Sequence, residues 1–488
     1  MFLGLDLGTG SVKALLVDER GVTLGEASAS YPVRSTRPGR AESSPEEWWE
    51  AAAEAARVAV GPRGAQVAAV GLSGQMHGIV LADGAGRPLR SAILWADARS
   101  GEELAAYRAL GEEARAGLAN PPAVGMAGPS LLWLRGHEAG VYSSARWALQ
   151  PKDWIRMRLT GEAAAEPSDA SATLLYDLLS DGWAYPVVEA LGLRADLLAP
   201  IVASTDAAGV LTEEAAGSLG LRAGVPVAAG AADTAAAMVG TGLLGPGAVQ
   251  LTVGTGGQIV TPRDTPEPDP HERVHLYRTA AAEPPGLWYS MAAIQNAGLA
   301  LEWARKVLRV SWDEVYEEAF AVPPGAGGVV FLPYLSGERT PRFDPSARGA
   351  WTGLGLDHGR GHLLRAALEG VAFALREGLE ALEEREPRVP ELRLAGGGAG
   401  GTSGGPWRQL LANVLGRPLW LLPEHVAPVA SARGAALLAG IASGVYQSIG
   451  DTLSLAPEPD DSVEPDEAAR VYDEAYARYQ GLYPKLYG

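Results

Sequence analysis

The sequence predicts an α/β protein composed of two related domains, and three observations support that prediction. A strand, a glycine-rich corner and a second strand open the chain over residues 2–17, and the same pattern returns over residues 247–260. Strand and helix signals alternate after both copies, as they do in α/β folds. The chain of 488 residues is also longer than one hydrophobic core usually accommodates.

The elements of the first half follow from local patterns. Residues 2–8 and 11–17 are predicted strands, and Gly8-Thr9-Gly10 predicts a tight turn between them. We expect a third strand over residues 21–27. The stretch SPEEWWEAAAEAARVAV has a Ser before Pro and two early glutamates, which predicts a helix start. The stretch VAAVGLSGQMHG predicts a buried strand that runs into a loop.

The alternation continues through the rest of the chain. VPVAAGAADTAAAMVG predicts a strand, a loop and a helix, and ELRLAGGGAGGTSGGPWRQLLANVLG predicts a strand, a glycine run and a helix. The stretch GLLGPG interrupts the pattern near residues 240–248, so we expect domains over residues 1–244 and 245–488. Loops are expected over the proline-rich residues 261–270 and the acidic residues 457–466.

Composition limits the classes of function. The chain has no cysteine, which excludes disulfides and thiolate chemistry and favours a cytoplasmic location. It has no apolar run long enough for a membrane span, and it opens directly with a strand pattern, so we expect no signal peptide. The net charge of −18 disfavours nucleic acid as a partner. An anionic substrate would therefore need local attraction from backbone amides or a metal ion.

Each glycine corner is a candidate phosphate-binding loop. Glycines allow successive backbone N–H groups to point into one concavity, and Thr or Ser hydroxyls add donors. A single corner of this kind is usually only a tight turn, but two matching corners and a third glycine run at residues 396–398 favour a phosphate site. The common phosphate loop GxxxxGK[ST] is excluded, because no lysine of the chain follows a glycine.

Two aspartates stand beside predicted strand ends. Asp6 lies at the first corner, where a carboxylate would repel phosphate unless a cation or water intervened, so a role linked to Mg²⁺ fits. A turn-stabilising hydrogen bond is the alternative. Asp233 lies between a strand and a helix start, where Asp is a favoured N-cap. Its functional alternative is a general base that takes a proton from a substrate hydroxyl.

Two further motifs suggest other enzyme classes. HERVH, residues 271–275, matches the HExxH zinc signature, which requires a helix to bring both histidines to one face. Its continuation alternates like a strand, in which residues four apart lie roughly 13 Å from each other. GTSGG, residues 401–405, matches the GxSxG motif of esterases, but it lies inside a longer glycine run with only His425 nearby as a base. Both interpretations are therefore disfavoured.

Eight longer motifs are distributed over nearly the whole chain. They are GLDLGTGSVKALLVD (4–18), GLSGQMHG (71–78), ILWADARS (93–100), LQPKDWIRMRLTGE (149–162), AAGAADTAAAMVG (228–240), FLPYLSGERTP (331–341), GAWTGLGLDHGRGHLLRAALEG (349–370) and LAGGGAGG (394–401). Together they resemble the FGGY family of carbohydrate kinases, within the actin-like ATPase superfamily. The resemblance implies two actin-like, or ribonuclease H-like, domains with a cleft between them.

The resemblance also implies roles for individual residues. Asp233 corresponds to the family's catalytic base, and Asp6 to its carboxylate near Mg²⁺ and the phosphates. The positions that correspond to nucleotide-binding residues are Thr9, Gly10, Ser11, Lys13, Gly254, Thr255, Gly298, Gly397 and Gly398. The positions that correspond to sugar-binding residues are Gln75, Met76, His77, Trp95, Asp97, Arg99, Asp233 and Thr234.

Several positions depart from the family pattern. Thr234 and Ala96 stand where Asn is usual, which affects the expected sugar specificity. Gly256 stands where Ser is frequent, and Gly400-Gly401 replaces the usual Arg-Ser, which affects the expected adenosine contacts. None of these changes removes a residue that the chemistry requires.

The resulting hypothesis is ATP-dependent phosphorylation of D-xylulose to D-xylulose 5-phosphate, with Mg²⁺ as cofactor. Kinases for ribulose, gluconate or glycerol are the nearest alternatives. A non-enzymatic actin-like ATPase is an alternative of another class, and so is a zinc peptidase built on His271, Glu272 and His275. A homodimer is one assembly open to such a chain, and neither nucleic acid nor a membrane is expected as a partner.

Overall fold

Two seven-stranded mixed sheets organise the protein, which a computed structural model describes over residues 1–384, 389–395 and 404–488. The strands of the first half are β1 (Phe2–Leu7), β2 (Ser11–Val17), β3 (Thr23–Ser30), β4 (Glu42–Ser43), β5 (Ala69–Gly74), β6 (Val80–Ala82), β7 (Ala92–Ile93), β8 (Trp147–Leu149), β9 (Tyr176–Asp177), β10 (Gly182–Trp183), β11 (Ala207–Val210), β12 (Pro226–Ala228) and β13 (Ala231–Ala232). Its helices are α1 (Pro45–Val60), α2 (Leu104–Arg108), α3 (Glu112–Leu118), α4 (Ala127–His137), α5 (Ala139–Ser144), α6 (Pro151–Thr160), α7 (Pro167–Ala170), α8 (Tyr185–Ala190), α9 (Glu213–Leu219) and α10 (Asp233–Thr241).

The second half begins after α10. Its strands are β14 (Gln250–Val253), β15 (Gly257–Arg263), β16 (His275–Arg278), β17 (Trp288–Ile294), β18 (Val330–Leu332), β19 (Ala350–Thr352), β20 (Leu392–Ala395), β21 (Leu419–Leu421) and β22 (Asp461–Val463). Its helices are α11 (Gly298–Leu308), α12 (Trp312–Phe320), α13 (Arg360–Glu383), α14 (Gly405–Leu415), α15 (Ala430–Ala442), α16 (Ile449–Thr452), α17 (Ala469–Gln480) and α18 (Leu482–Tyr487). Among the described residues, no helix combines the length and the apolarity needed to cross a membrane.

The two large sheets share one topology. The first has the order β11-β12-β5-β1-β2-β3, with β13 beside β5, and the second has the order β16-β17-β15-β14-β20-β21-β22. In the first sheet, β1, β2 and β3 are antiparallel neighbours, and β5 and then β12 add in parallel on the other side of β1. In the second sheet, β14, β15 and β17 are antiparallel neighbours, and β20 and then β21 add in parallel on the other side of β14. The predicted α/β fold class and the repeated hairpin are therefore confirmed.

Three local predictions were wrong. The third strand begins at Thr23 and runs to Ser30, because Gly21 adopts a positive φ of 72° and belongs to the preceding turn. Strand β15 extends to Arg263, into the expected loop 261–270. The acidic stretch 457–466 contains edge strand β22, which pairs with β21. Such a strand is formed by backbone pairing with its neighbour, and its acidic sequence carries no apolar pattern that would reveal it.

Helix α15 lies late in the chain but packs on the first sheet. A Cβ atom added at Gly4 of β1 would lie only 1.9 Å from the Ala432 carbonyl oxygen, so only glycine permits this approach. Helix α10 crosses α15 equally closely, since a Cβ atom at Gly434 would lie 1.8 Å from the Ala236 carbonyl oxygen. The first sheet is thus enclosed by α1 on one face and by α15 on the other.

A second contact joins the two halves at β16, an edge strand of the second sheet. Asn120 of the first half donates from Nδ2 to the Leu276 carbonyl at 2.6 Å and accepts the Leu276 N–H at 2.9 Å. Arg278 Nε forms an ion pair with Asp181 at 2.8 Å. The first half therefore takes the place of a neighbouring strand along this edge.

Candidate active site

Asp6 and Asp233 emerge at the same edge of the first sheet. Asp6 on β1 lies opposite Ser73 on β5, and Ser73 lies opposite Ala231 on β13. Asp233 follows β13 directly and is the first residue of α10. The two carboxylates are close enough for the charge of Asp6 to contribute to the raised pKa of Asp233. They therefore lie close together at one edge of the first sheet, and a cleft around them stays a prediction.

The Asp233 carboxyl is tuned by its surroundings. Burial raises its pKa to about 7, and the neighbouring Asp6 adds to that rise. Hydrogen bonds from Thr234 oppose the shift, with the N–H at 2.6 Å and the hydroxyl at 3.1 Å from Oδ1. The N-cap position belongs to Ala232, so Asp233 lies inside the helix start. A carboxyl group with a pKa near 7 is well suited to act as a general base at neutral pH.

Asp6 is held in place by its strand neighbours. Its Oδ1 accepts a hydrogen bond from the Ser73 hydroxyl at 2.9 Å, and Lys13 lies opposite it on β2. Burial raises the pKa of Asp6, while Ser73 and Lys13 oppose that rise. Lys13 Nζ also donates to the Pro428 carbonyl at 2.5 Å, which ties the first hairpin to the segment before α15.

The first glycine corner is supported from two sides. Gly8 N–H donates to the Ser11 carbonyl at 3.0 Å across the turn that contains Thr9 and Gly10. Trp95 Nε1 donates to the Thr9 hydroxyl at 2.9 Å, and Gln75 Nε2 donates to the Gly8 carbonyl at 3.3 Å. Trp95 and Gln75, both predicted sugar-binding residues, therefore also shape the predicted phosphate loop.

The second corner is joined to a helix start. Gly298 N–H donates to the Gly254 carbonyl at 2.9 Å, and Leu299 N–H donates to the Thr255 carbonyl at 2.9 Å. A Cβ atom at Gly298 would lie 2.4 Å from the Gly254 oxygen, so this close approach requires glycine. The structure thus brings Gly254, Thr255 and Gly298 together at the start of α11. The predicted nucleotide residues Gly397 and Gly398 lie outside the described residues.

Met76 and His77 face the second half. The His77 ring centroid lies 5.9 Å from that of Tyr277, and the Met76 sulfur lies 3.7 Å from the Tyr289 hydroxyl. Burial lowers the pKa of His77 to about 4, so the imidazole is neutral at neutral pH. Its Nδ1 lies 2.8 Å from the Ala172 carbonyl, which can only accept, so the proton belongs on Nδ1. Nε2 is then free of a proton and can accept a hydrogen bond from a hydroxyl.

Asp97 and Arg99 contact each other and also contact Ala41 and Glu42 of the same half. Arg99 Nε donates to Asp97 Oδ1 at 2.8 Å, and the Ala41 N–H donates to Asp97 Oδ2 at 2.7 Å. Arg99 also forms an ion pair with Glu42 at 2.6 Å. These contacts fix the loop that carries Trp95, and sugar binding by the pair itself stays a prediction.

The sequence-based predictions missed Arg339 of the second half. Its guanidinium carbon lies 5.3 Å from the ring centroid of Trp95, and its charge contributes to the lowered pKa of His77. Arg339 therefore lies beside two predicted sugar-binding residues. The sequence signal for Arg339 is a basic residue inside the motif FLPYLSGERTP, to which the resemblance assigns no role.

The family can be identified at this point. Residues 1–240 match the N-terminal domain of the FGGY family of carbohydrate kinases, and residues 249–443 match its C-terminal domain. The chain belongs to this family. A xylulose kinase of Escherichia coli K12 is 34% identical to this FGGY kinase over 100% of this chain and 99% of the relative.

Solved structures agree with the fold of this FGGY kinase. A xylulose kinase from Rhodospirillum rubrum superimposes with a TM-score of 0.87 at 32% identity, covering 99% of this chain and 98% of the other. A gluconate kinase from Lactobacillus acidophilus superimposes with a TM-score of 0.91 at 26% identity, covering 99% and 97%. The two actin-like domains are thus shared by a kinase named for xylulose and a kinase named for gluconate.

The family match also decides between the enzyme classes left open by the motifs. The chain is a carbohydrate kinase, and the HERVH motif does not form the helix that a zinc peptidase needs. His271 lies in a turn and His275 begins strand β16. His275 stacks on Tyr277 with ring centroids 5.5 Å apart, and Tyr277 in turn faces His77.

Proposed function

We propose that this FGGY kinase transfers the γ-phosphoryl group of ATP to D-xylulose and releases D-xylulose 5-phosphate and ADP. The observation that carries the proposal is the proximity of Asp233 and Asp6 at one edge of the first sheet, where β5 also leads into the loop with Met76 and His77. Near full-length similarity to the xylulose kinase of Escherichia coli supports D-xylulose as the acceptor. Phosphoryl transfer depends mainly on alignment and charge stabilisation, which a cleft between two domains can provide.

Asp233 acts as the general base in this proposal. Its carboxylate accepts the proton of the terminal sugar hydroxyl while the sugar oxygen forms a bond to the γ-phosphorus and the bond to ADP breaks. The neutral His77 accepts a hydrogen bond from another sugar hydroxyl through Nε2. The two glycine corners supply backbone N–H groups for the phosphates, so no large basic surface is needed.

The residues of the site fit Mg²⁺ as the cofactor. Within the described ranges, no group of three or more acidic, histidine or cysteine side chains could hold a metal ion. Mg²⁺ bound to a nucleotide usually takes only one or two carboxylates, together with phosphates and waters. Asp6 provides one buried carboxylate of this kind. When bound, the ion would neutralise charge on the transferring phosphoryl group.

Domain organisation belongs to the same proposal. We place the domains at residues 1–244 and 245–488, with the glycine-rich junction near residues 240–248 as the hinge. Closure around the sugar would exclude water, which otherwise competes as a nucleophile. A homodimer and a cytoplasmic location stay predictions from the sequence.

The proposed base is tested with Asp233→Asn, which keeps the shape of the side chain and removes its basicity. We expect kcat to fall by about a hundred- to ten-thousandfold, the usual contribution of a positioned base. ADP release with D-xylulose is measured in a coupled assay, and circular dichroism checks that the variant is folded. Near-normal turnover by a folded Asp233→Asn protein would exclude the assigned role.

Gluconate is the second candidate acceptor, because the solved gluconate kinase has the same fold. A panel of D-xylulose, D-ribulose, gluconate and glycerol under identical conditions distinguishes the candidates. We expect the highest kcat/KM with D-xylulose. A higher value with gluconate would reassign the substrate and leave the kinase chemistry intact.

A further inference from the structure

A buried ionic cluster lies beside the segment that leads to Asp233, and none of the roles described above uses it. Its members are Lys152, Asp153 and Arg156 of α6 and Glu166 and Asp169 at the start of α7, and each side chain is at most 1% exposed. Lys152 Nζ lies 2.6 Å from Asp153, 3.3 Å from Glu166 and 3.4 Å from Asp169. Arg156 completes the cluster at 2.9 Å from Asp153.

The cluster places two basic side chains among three acidic ones. Burial raises the pKa of the Asp169 carboxyl well above its ordinary value, and the charge of Lys152 opposes that rise. Lys152 and Arg156 both lie within ion-pair distance of Asp153. Buried ions are stable only when they are paired and hydrogen-bonded in this manner.

The Glu166 carboxylate accepts hydrogen bonds from four donors in addition to its ion pair with Lys152. Its carboxylate receives the N–H groups of Ser168 and Asp169, each at 2.9 Å. It also receives the Ser204 hydroxyl at 2.6 Å and the Ser168 hydroxyl at 2.8 Å. The Ser168 hydroxyl therefore has its proton committed to Glu166, and its lone pairs are fixed in direction.

That fixed hydroxyl binds the backbone next to Asp233. Ser168 Oγ accepts a hydrogen bond from the Ala232 N–H at 2.9 Å. Ala232 is the N-cap residue of α10, and Asp233 is the next residue. A rotation of the Ser168 side chain would leave this buried N–H without its acceptor, so the contact between Ser168 and Glu166 supports the hydrogen bond at the N-cap of α10.

Other members of the network hold the preceding residues. The Ser204 carbonyl accepts the Gly230 N–H at 3.1 Å, and the Ser204 hydroxyl is the one that donates to Glu166. Arg156 Nη1 donates to the Ala229 carbonyl at 2.7 Å. The short segment before Asp233 is therefore bound to the cluster at three points.

We propose that Glu166, acting through Ser168, is a positioning residue that holds Asp233 at the reacting hydroxyl. The proposal rests on the proposed function, because it takes Asp233 as the base. Glu166 does not touch the substrate. It fixes the backbone from which the Asp233 side chain extends.

The test uses Ser168→Ala, with Glu166→Gln as a second variant, in the full-length protein with D-xylulose and ATP. Ser168→Ala removes the acceptor for the Ala232 N–H and leaves Glu166 paired with Ser204 and Lys152. We expect kcat to fall about ten- to a hundredfold, since a displacement of ~1 Å can cost that much, while KM for ATP stays unchanged. Glu166→Gln should lower kcat in the same direction, because its amide nitrogen donates where the carboxylate accepts.

Thr160→Val is the matched control. Thr160 is also a buried hydroxyl, but it donates to the Arg156 carbonyl at 3.0 Å within its own helix. We expect it to lower the thermal unfolding temperature about as much as Ser168→Ala and to leave kcat unchanged. An unchanged kcat in folded Ser168→Ala, or an equal loss in Thr160→Val, would overturn the proposal. Failure of the proposed function is distinct, because Asp233→Asn would then keep its turnover.

Discussion

At the residue scale, Asp233 takes its chemistry from its surroundings. Its residue type and its place before a helix can be predicted from the sequence, but both also fit an ordinary N-cap. Burial and the proximity of Asp6 give it a pKa of about 7, and both depend on how β1, β5 and β13 align at one sheet edge. No local pattern reports that alignment, so the folded structure was needed to find it.

The raised pKa of Asp233 predicts a specific pH profile. The base works only when deprotonated, so kcat/KM should fall about tenfold per pH unit below its pKa of about 7 and level off above it. His77, with a pKa lowered to about 4, stays neutral over this range and adds no second limb. Initial rates with D-xylulose between about pH 5.5 and 8.5 measure the profile. A flat profile in this interval would contradict the assignment.

At the scale of elements, the crossing of α10 and α15 depends on small residues. The motif AADTAAAMVG was recognised from sequence, whereas the partner helix lies almost two hundred residues later and has no complementary signal. A helix made mostly of Ala and Gly can pack against many surfaces. Which surface it meets is decided by the positions at which glycines expose the backbone, as at Gly4 and Gly434.

Gly434→Ala is therefore expected to destabilise the protein. The new methyl group would meet the Ala236 carbonyl oxygen at 1.8 Å, so the two helices must separate. Overpacking of this kind costs about 1–3 kcal/mol of unfolding free energy, measured by urea denaturation. The control is Gly217→Ala in α9, where the methyl group meets nothing within 4 Å. That variant should gain about 0.5–1 kcal/mol, and equal effects at both sites would contradict the packing argument.

At the scale of the whole molecule, the two halves meet at the α10–α15 crossing and along β16. The repeated glycine corner in the sequence was sufficient to predict two related sheets. It could not predict that the side chain of Asn120 would pair with the backbone of β16, because an isolated Asn in a loop has many possible partners. The same contact brings Tyr277 to face His77.

Asn120→Ala tests the role of this contact. The change leaves the N–H and carbonyl of Leu276 without their partner, which costs about 1–3 kcal/mol of unfolding free energy. Because Tyr277 and His77 would no longer be held face to face, KM for D-xylulose should rise, whereas KM for ATP should not. Steady-state kinetics with each substrate varied in turn measure both constants.

Asn413→Ala provides the matched control. Asn413 is also a buried asparagine; it donates to the Asp466 carboxylate at 2.9 Å and accepts from the Asp466 N–H at 2.8 Å and from Gln409 Nε2 at 3.3 Å, and all three hydrogen bonds lie within the second half. It should lower stability and leave KM for D-xylulose unchanged. If both variants changed this constant alike, the β16 contact would have no special part in sugar binding.

The late position of α15 has a consequence for biosynthesis. The ribosome completes β13 and then six of the seven strands of the second sheet before it adds the helix that covers one face of the first sheet. At about 5–20 residues per second, this delay lasts roughly 10–40 s. Throughout that interval the nascent chain presents an uncovered apolar surface, including Phe2, Leu15 and Val17. Chaperones that bind exposed apolar segments therefore have their longest opportunity before translation reaches α15.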